Sequence, residues 1–375
     1  MLTRTGLGVA VAAVMLVAFG LGWSYSEFVV LGVFVLVLIA VGFIMVRRPA
    51  NLVGQRRSFS HRVRRGDMVE ILFDIENPGA HAVAPVVLVD RLGLDEVEIP
   101  VASTPPGAKE SMRYEILAPR RGVHRLGPVE LRRQDPFGLV VGQREIGAVD
   151  EVIVHPKVLQ LGGSSGVDRN TDIEVTLRRA SSDPLAGFQS LREYVRGDDT
   201  RAIHWPTTAR VGRPMVREFM DPRRPVFTIV VSTDAGAHTP EDFEEAVDVA
   251  ASLAAHVLHR GIDIVLRTTD RLHLGLMHPL RDEMQLLDLL ARVRRTSPEE
   301  TESIGRVLSF GWDDSVAIVI TGPSLRSLTP LRDLGERVVP IRIGQGVTAP
   351  VAFSGRMFAA QDAAAFAELW TDIVR

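Results

Sequence analysis

The chain has 375 residues, 46% of them hydrophobic, enough material for about two or three domains with cores of their own, which excludes a disordered tail. A formal net charge of −3 gives no overall attraction to nucleic acid, and the absence of cysteine excludes thiol nucleophiles, disulfides and thiolate metal sites. Lysine occurs only at Lys109 and Lys157 among 43 basic residues, neither in a Gly-Lys-Ser/Thr context, so there is no P-loop; the arginine excess fits codon usage in a GC-rich genome better than a chemical choice.

Residues 6–23 and 28–46 carry no charge, and each approaches the roughly 20 residues that cross a bilayer core. Only Ser24, Tyr25, Ser26 and Glu27 separate them, which predicts a tight transmembrane helical hairpin with Trp23 and Tyr25 at the interface. Arg4 precedes the first span. Arg47, Arg48, Arg56, Arg57, Arg62, Arg64 and Arg65 follow the second before the first acid, Asp67. Basic flanks of this kind place both termini in the cytoplasm, with the arginines serving topology and lipid headgroup contact. A cleaved signal peptide is the competing reading of the first span, but its apolar region would be overlong and a second span follows at once. The expectation is a two-span protein of the cell membrane.

From 49 to 160 the pattern changes to short alternating runs broken by turns. MVEILFDIENPG sets Val69, Ile71, Phe73 and Ile75 on one face and ends at Asn77-Pro78-Gly79. VAPVVLVDRLG, EVEIPV, SMRYEIL, HRLGPVELRR and GLVVGQREI continue in the same style, predicting an immunoglobulin-like β-sandwich. The Asp135-Pro136-Phe137-Gly138 turn has a structural explanation: Asp135 accepts backbone N–H groups, Pro136 sets φ, Phe137 fills the core and Gly138 relieves strain. GGSSG at 162–166 matches Gly-x-Ser-x-Gly, yet the polar VDRNTD follows where a nucleophile elbow needs a helix, so it reads as linker.

Residues 161–224 read as linker and a charged segment, and 225–375 as α/β. PVFTIVV is a buried strand. Thr239, Pro240 and Asp242 open a helix as N-cap, first position and capping-box partner, with Phe243, Ala246, Val247, Ala250, Leu253, Ala254 and Val257 on one face and Gly261 as its stop. Strand 262–268, a hairpin through 267–277, helix 281–293, strand 315–321, helix 324–334, strand 337–343 and a helix near 360–373 complete a parallel sheet with helices on both faces. Ligands of such sheets sit beyond the carboxyl strand ends, here loops 232–238 and 321–325.

The stretch LREYVRGDDTRAIHWPTTARVGRPMVREF, 191–219, resembles the signature of the domain-of-unknown-function 58 family, carried by Arg192, Tyr194, Gly197, Asp198, Asp199, Arg201, Ile203, Trp205, Thr208, Ala209 and Arg210. RRGVHRLGP, DPFGL and the layout of two spans followed by a β domain also resemble it, over nearly the whole chain. The resemblance implies a C-terminal domain of von Willebrand factor type A character and a partner among MoxR-type AAA+ ATPases. Such domains hold a hard cation through Asp-x-Ser-x-Ser and a later aspartate. Here Ser232 stands at the first aspartate position, alanine or glycine replaces the serines and the later aspartate is missing, leaving Asp234 as a weak metal candidate.

Three readings of 191–219 remain. As an active site it offers Asp198, Asp199, Arg201 and His204, without a nucleophile or metal cluster. As structure, Gly197 turns the chain, Asp198 or Asp199 caps a helix starting near Thr200, Ile203 and Trp205 anchor it to a core, and Pro206 stops it. As a docking surface, its arginines beside tyrosine and tryptophan have hot-spot composition. The expected function is a non-enzymatic membrane scaffold that binds protein, without cofactor, small-molecule substrate or nucleic acid; the alternatives are a cation-dependent adhesion-type module and a hydrolase using Asp198 or Asp199 with His204.

Overall fold

Two long helices open the chain, α1 (Arg4–Gly22) and α2 (Ser26–Arg47), each long and apolar enough to cross a membrane. The computed structural model describes residues 1–47, 51–162, 188–195, 203–219, 226–260, 262–270, 282–309, 317–323, 338–347 and 357–374. The Thr3 hydroxyl caps α1 by accepting the Gly6 N–H at 2.9 Å. Along α1 the buried residues are Gly6, Ala13 and Gly20, spaced by seven; Ala13 and Gly20 line the seam with α2, whereas Gly6 lies against Leu139. A Cβ added at Gly32 would stand 2.7 Å from the Ala13 carbonyl, so only glycine lets the two backbones approach this closely. Compactness divides the chain into two units, Met1–His155 and Pro156–Arg375.

The first unit continues as a β-rich region of ten strands: β1 (Val53–Phe59), β2 (Arg62–Arg64), β3 (Met68–Glu76), β4 (Val86–Leu92), β5 (Asp95–Val101), β6 (Lys109–Leu117), β7 (Gly122–Leu126), β8 (Val129–Gln134), β9 (Val141–Ile146) and β10 (Asp150–His155). One sheet runs β1-β3-β6 and the other β2-β10-β7-β4-β8-β9, with β5 on β4; all pairings are antiparallel except β2 with β10. The alternation on β3 holds: Val69, Ile71, Phe73 and Ile75 are buried and share a core with Leu88, Leu126, Leu131 and Val152 of the other sheet. HRLGPVELRR is two strands rather than one, because Pro128 has no N–H for the ladder and the chain breaks at Gly127–Pro128, a cis peptide.

Arg56 on β1 crosses between the sheets. Its side chain is 3% exposed, with Nη2 2.7 Å from Asp90 on β4 and Nη1 2.8 Å from Asp150 on β10, and the Tyr114 hydroxyl of β6 donates to Asp90 at 2.7 Å. Burial opposes the charge on Arg56, but the two carboxylates outweigh it and hold the guanidinium above its ordinary value, while burial and then Asp90 push the Tyr114 phenol up. Of the seven arginines read as membrane-flanking, this one is therefore internal structure. A second correction concerns the Asp135 turn. Asp135 is buried and accepts the Phe137 and Val140 N–H groups at 3.1 and 2.5 Å, and Gly138 has φ +70°, but Phe137 is 63% exposed and fills no core.

In the second unit a strand pair, β11 (Phe188–Glu193) and β12 (Met215–Phe219), flanks the short helix α3 (Trp205–Val211). Then follow β13 (Val226–Val231), α4 (Pro240–His259), β14 (Asp263–Thr268), α5 (Glu283–Arg292), α6 (Ile304–Ser309), β15 (Ala317–Thr321), β16 (Val338–Ile343), β17 (Phe358–Ala360) and α7 (Ala363–Val374). The sheet order is β14-β13-β15-β16-β17, all parallel. One face of the sheet, with Ile229, Val231, Ile318 and Ile320, packs on α4, α5 and α7; the other, with Val230, Ala317 and Val319, packs on Ile304, Val307 and Leu308 of α6. Thr239 caps α4 by accepting the Asp242 N–H at 3.1 Å, as its sequence predicts. Beyond β10, Lys157 and Leu159 donate backbone N–H groups to Asp248 and Ser252 of α4, both at 2.9 Å, tying residues 156–161 to this core. The 163–166 part of GGSSG, the helix expected at 324–334, Gly261 and most of the hairpin expected through 267–277 lie outside the described residues.

Truncating Arg56 to alanine leaves Asp90 buried and unpaired. The expected loss is about 3 kcal/mol or more from the β-rich region, read as roughly a hundred-fold fall in hydrogen-exchange protection across β4 and β6 of the full chain in detergent.

Candidate functional site

The signature segment is built on the β11–β12 pair, where Arg192 stands opposite Val216 and Glu193 opposite Met215. The Tyr194 N–H donates to the Pro214 carbonyl at 2.9 Å, Ile203 bridges to Val216, and the His204 N–H donates to the Met215 carbonyl at 2.8 Å, so both ends of the intervening chain return to β12. Helix α3 begins at Trp205, and the start expected near Thr200 lies outside the described residues. Pro206 occupies its first turn, where a missing N–H costs nothing, and the helix ends on Gly212 at φ +70°. Thr208 locks the helix to the strand by accepting the Met215 N–H at 3.0 Å, and His204 Nδ1 lies 2.7 Å from the Thr207 hydroxyl.

No residue of α3 is buried, and Trp205 is 67% exposed, which overturns its expected role as a core anchor. Ile203 and Tyr194 are half-buried, whereas Ala209 and Arg210 are exposed, as Trp205 is. Gly197, Asp198, Asp199 and Arg201 lie outside the described residues. What the structure assembles from this motif is a short, well-fixed helix presenting an aromatic ring and a guanidinium to the outside.

The second candidate is the carboxyl end of the parallel sheet. Thr233 accepts and donates within a row of hydroxyls: its Oγ1 lies 3.0 Å from that of Thr269 and 2.8 Å from that of Thr296, which is 3.1 Å from that of Thr301. Asp234 closes a turn on itself, accepting the Gly236 N–H at 2.8 Å, and bridges to Thr296. Among the described residues no group of three or more His, Cys, Asp or Glu side chains converges to hold a metal. Asp242 is buried and, besides its place in the α4 cap, accepts the Gln345 N–H at 3.2 Å, joining α4 to the loop after β16.

His238 is 4% exposed, and neither ring nitrogen has a hydrogen bond of normal geometry; the Ser232 main chain lies close enough only to favour the charged ring slightly. The ring packs edge-on against Phe243, with centroids 5.6 Å apart. Burial pushes its pKa down to about 4, against the raising pull of Asp242 and Asp234, so the imidazole is neutral at physiological pH. Neither the threonine row nor His238 was found from sequence. Thr268-Thr269-Asp270 and Ser232-Thr233-Asp234, each polar directly after an apolar strand, were the available signal.

Residues 190–306 match the family model described as a protein of unknown function, DUF58. In this stretch the chain is similar to DUF58 proteins. The stretch runs from Ser190 on β11 through α3, β13, α4, β14 and α5 to Arg306 on α6, and so holds both the exposed helix and the threonine row. A curated relative, the uncharacterized protein YeaD of Bacillus subtilis (strain 168), is 28% identical over 161 residues, 40% of this chain and 37% of that protein. The match thus spans well under half of the relative's length. Among solved structures, the CARDB domain of PF1109 from Pyrococcus furiosus covers 28% of this chain and 91% of its own length at 13% identity and a TM-score of 0.22. A β-glucosidase from Listeria innocua covers 26% of this chain and 16% of its own at 12% identity and a TM-score of 0.18. Likenesses this slight carry no argument about DUF58 fold or function.

In the unfolded chain His238 takes a proton below its ordinary value of 6.5, but in the fold only near 4, so the unfolded state binds the extra proton between those values. Stability of the α/β unit is accordingly full above about pH 6.5 and falls as the pH drops toward 4, by up to about 3 kcal/mol. His238→Phe keeps the ring and removes that dependence; urea unfolding of both forms between pH 4 and 7 checks it, the difference between them being the quantity of interest.

Proposed function

We infer that this chain is a membrane-anchored, non-enzymatic scaffold that binds another protein through the DUF58 signature helix. On this reading α1 and α2 cross the cell membrane with both termini in the cytoplasm, the β-rich region is an immunoglobulin-like sandwich and the parallel sheet a degenerate type A domain. The observation that carries the binding role is Trp205: a tryptophan 67% exposed on a helix fixed by Pro206, Gly212 and Thr208. Exposing so large an apolar ring is unfavourable in isolation and favourable when a partner covers it, and tryptophan and arginine are among the residues most enriched in interface hot spots.

The partner class comes from the resemblance stated above, a MoxR-type AAA+ ATPase. Chemistry in the segment is the weaker reading, because the one described histidine there, His204, is engaged with Thr207 in a local helix-start contact. In the α/β unit the hydroxyls of Thr233, Thr269, Thr296 and Thr301 satisfy one another, an arrangement that holds loops together.

Binding of the full chain in nanodiscs to such an ATPase tests the inference. Trp205→Ala is expected to weaken it about 30-fold, the effect of a hot-spot residue worth ~2 kcal/mol. Arg210→Ala is expected to weaken it less, and thermal unfolding should be unchanged in both because neither side chain is buried. Undiminished binding in both variants removes α3 from the interface.

A further inference from the structure

The loop joining β8 to β9, residues 135–141, packs against the helical hairpin at a level well inside its apolar length. Leu139 and Val140 are buried in a cluster with Ile39 of α2, supported by Val9 and Ala10 of α1 and by Val35, Phe43 and Val46 of α2. Leu2 pairs with Val140 as an antiparallel bridge. Glycines make the approach close: a Cβ on Gly42 would stand 3.3 Å from Val140, and one on Gly142 2.5 Å from Val46. Between this contact and the helical turn remain Val11–Gly22 on α1 and Ser26–Phe34 on α2, about 14–18 Å of helix at 1.5 Å per residue, against a hydrocarbon core of ~30 Å. If the turn reaches one interface, the loop lies within or at the edge of the apolar layer on the other side.

The backbone of the loop is made for that depth. Its polar groups turn inward: the Phe137 and Val140 N–H groups donate to the Asp135 carboxylate, the Gly138 N–H to the Asp135 carbonyl at 3.0 Å, and the Asp135 N–H to the Val140 carbonyl at 3.1 Å. Thr3 adds two more bonds, its hydroxyl donating to the Gly138 carbonyl at 2.8 Å and its N–H to the Leu139 carbonyl at 3.0 Å, and the Val141 N–H donates to the Met1 carbonyl at 2.9 Å. Irregular backbone at membrane depth is tolerated only where its hydrogen bonds are met by protein. The side chain this leaves outermost is Phe137, 63% exposed, with exposed Pro136 beside it.

We propose that residues 135–141 dip into the same bilayer that α1 and α2 cross, with Phe137 seated among the lipid chains just below the headgroups. The loop thereby fixes the β-rich region against the membrane instead of leaving it on a tether. The proposal rests on the reading of α1 and α2 as spans, and the two fail separately. Because the chain has no cysteine, single cysteines can be placed without background.

Phe137→Cys, Phe34→Cys in the exposed middle of α2 and Leu94→Cys, 85% exposed in the β4–β5 turn, each carry an environment-sensitive fluorophore on the full chain in phosphatidylcholine–phosphatidylglycerol vesicles. The expected result is loss of emission at 34 with nitroxide deep in the acyl chains, loss at 137 with nitroxide near the headgroups, and no loss at 94 with either. No quenching at 34 overturns the spans and the loop with them. Quenching at 34 with a label at 137 that behaves like the one at 94 overturns the loop alone, as does a label at 137 shielded from lipid nitroxide and aqueous iodide together, which would mean protein cover.

Discussion

A charge taken out of water must be met by another, and in the β-rich region that constraint is concentrated in Arg56. Its guanidinium joins β1 to Asp90 on β4 and Asp150 on β10, while Tyr114 on β6 completes Asp90, so the two sheets are tied through their shared core by a single polar junction. The apolar faces supply the driving force for packing but leave the sheets free to slide. Short directional contacts to two carboxylates on different strands do not.

The same requirement, met in other ways, explains three further buried polar groups, Asp135, Asp242 and His238. Asp135 turns its carboxylate onto its own loop and lets irregular backbone lie against two apolar helices. Asp242 leaves the reciprocal half of a capping box for a contact to Gln345, which couples the start of α4 to the loop after β16. His238 has no such partner and remains neutral instead, the alternative open to a group whose ordinary pKa lies near neutrality. In the signature segment the logic runs outward: the His204 and Tyr194 N–H groups donate to the strand side and the Thr208 hydroxyl accepts from Met215, which fixes α3 while Trp205 stays exposed.

Much of the architecture was legible because it depends on local periodicity. The two apolar helices, the alternation on β3, the capped start of α4 and the parallel succession β13, β14, β15 and β16 all follow from patterns of 3.6 or 2 residues and from turn chemistry. The candidate sites were legible only in part. Loops 232–238 and 321–325 were placed at the carboxyl strand ends by fold logic, but the threonine row draws on β13, β14 and the loop before α6, residues up to 68 apart in the chain that no local pattern connects. In the signature, the helix start expected near Thr200 lies outside the described residues, while Pro206, read as a stop, stands in the first turn of α3, a position that suits proline equally well.

Local pattern sets what each stretch becomes: two long apolar helices, strands, shorter helices, and a motif specific enough to match DUF58. Which way the ambiguous side chains face is settled by packing between distant elements. Arg56, counted with the membrane-flanking arginines, became the internal junction of the sheets; Phe137 and Trp205, both large and aromatic, were assigned to cores and stand exposed. Hydrophobicity fixes that such a side chain gains by leaving water. It does not specify whether the cover is the chain's own core, a bilayer or another protein, because that depends on which surfaces the folded backbone brings within reach.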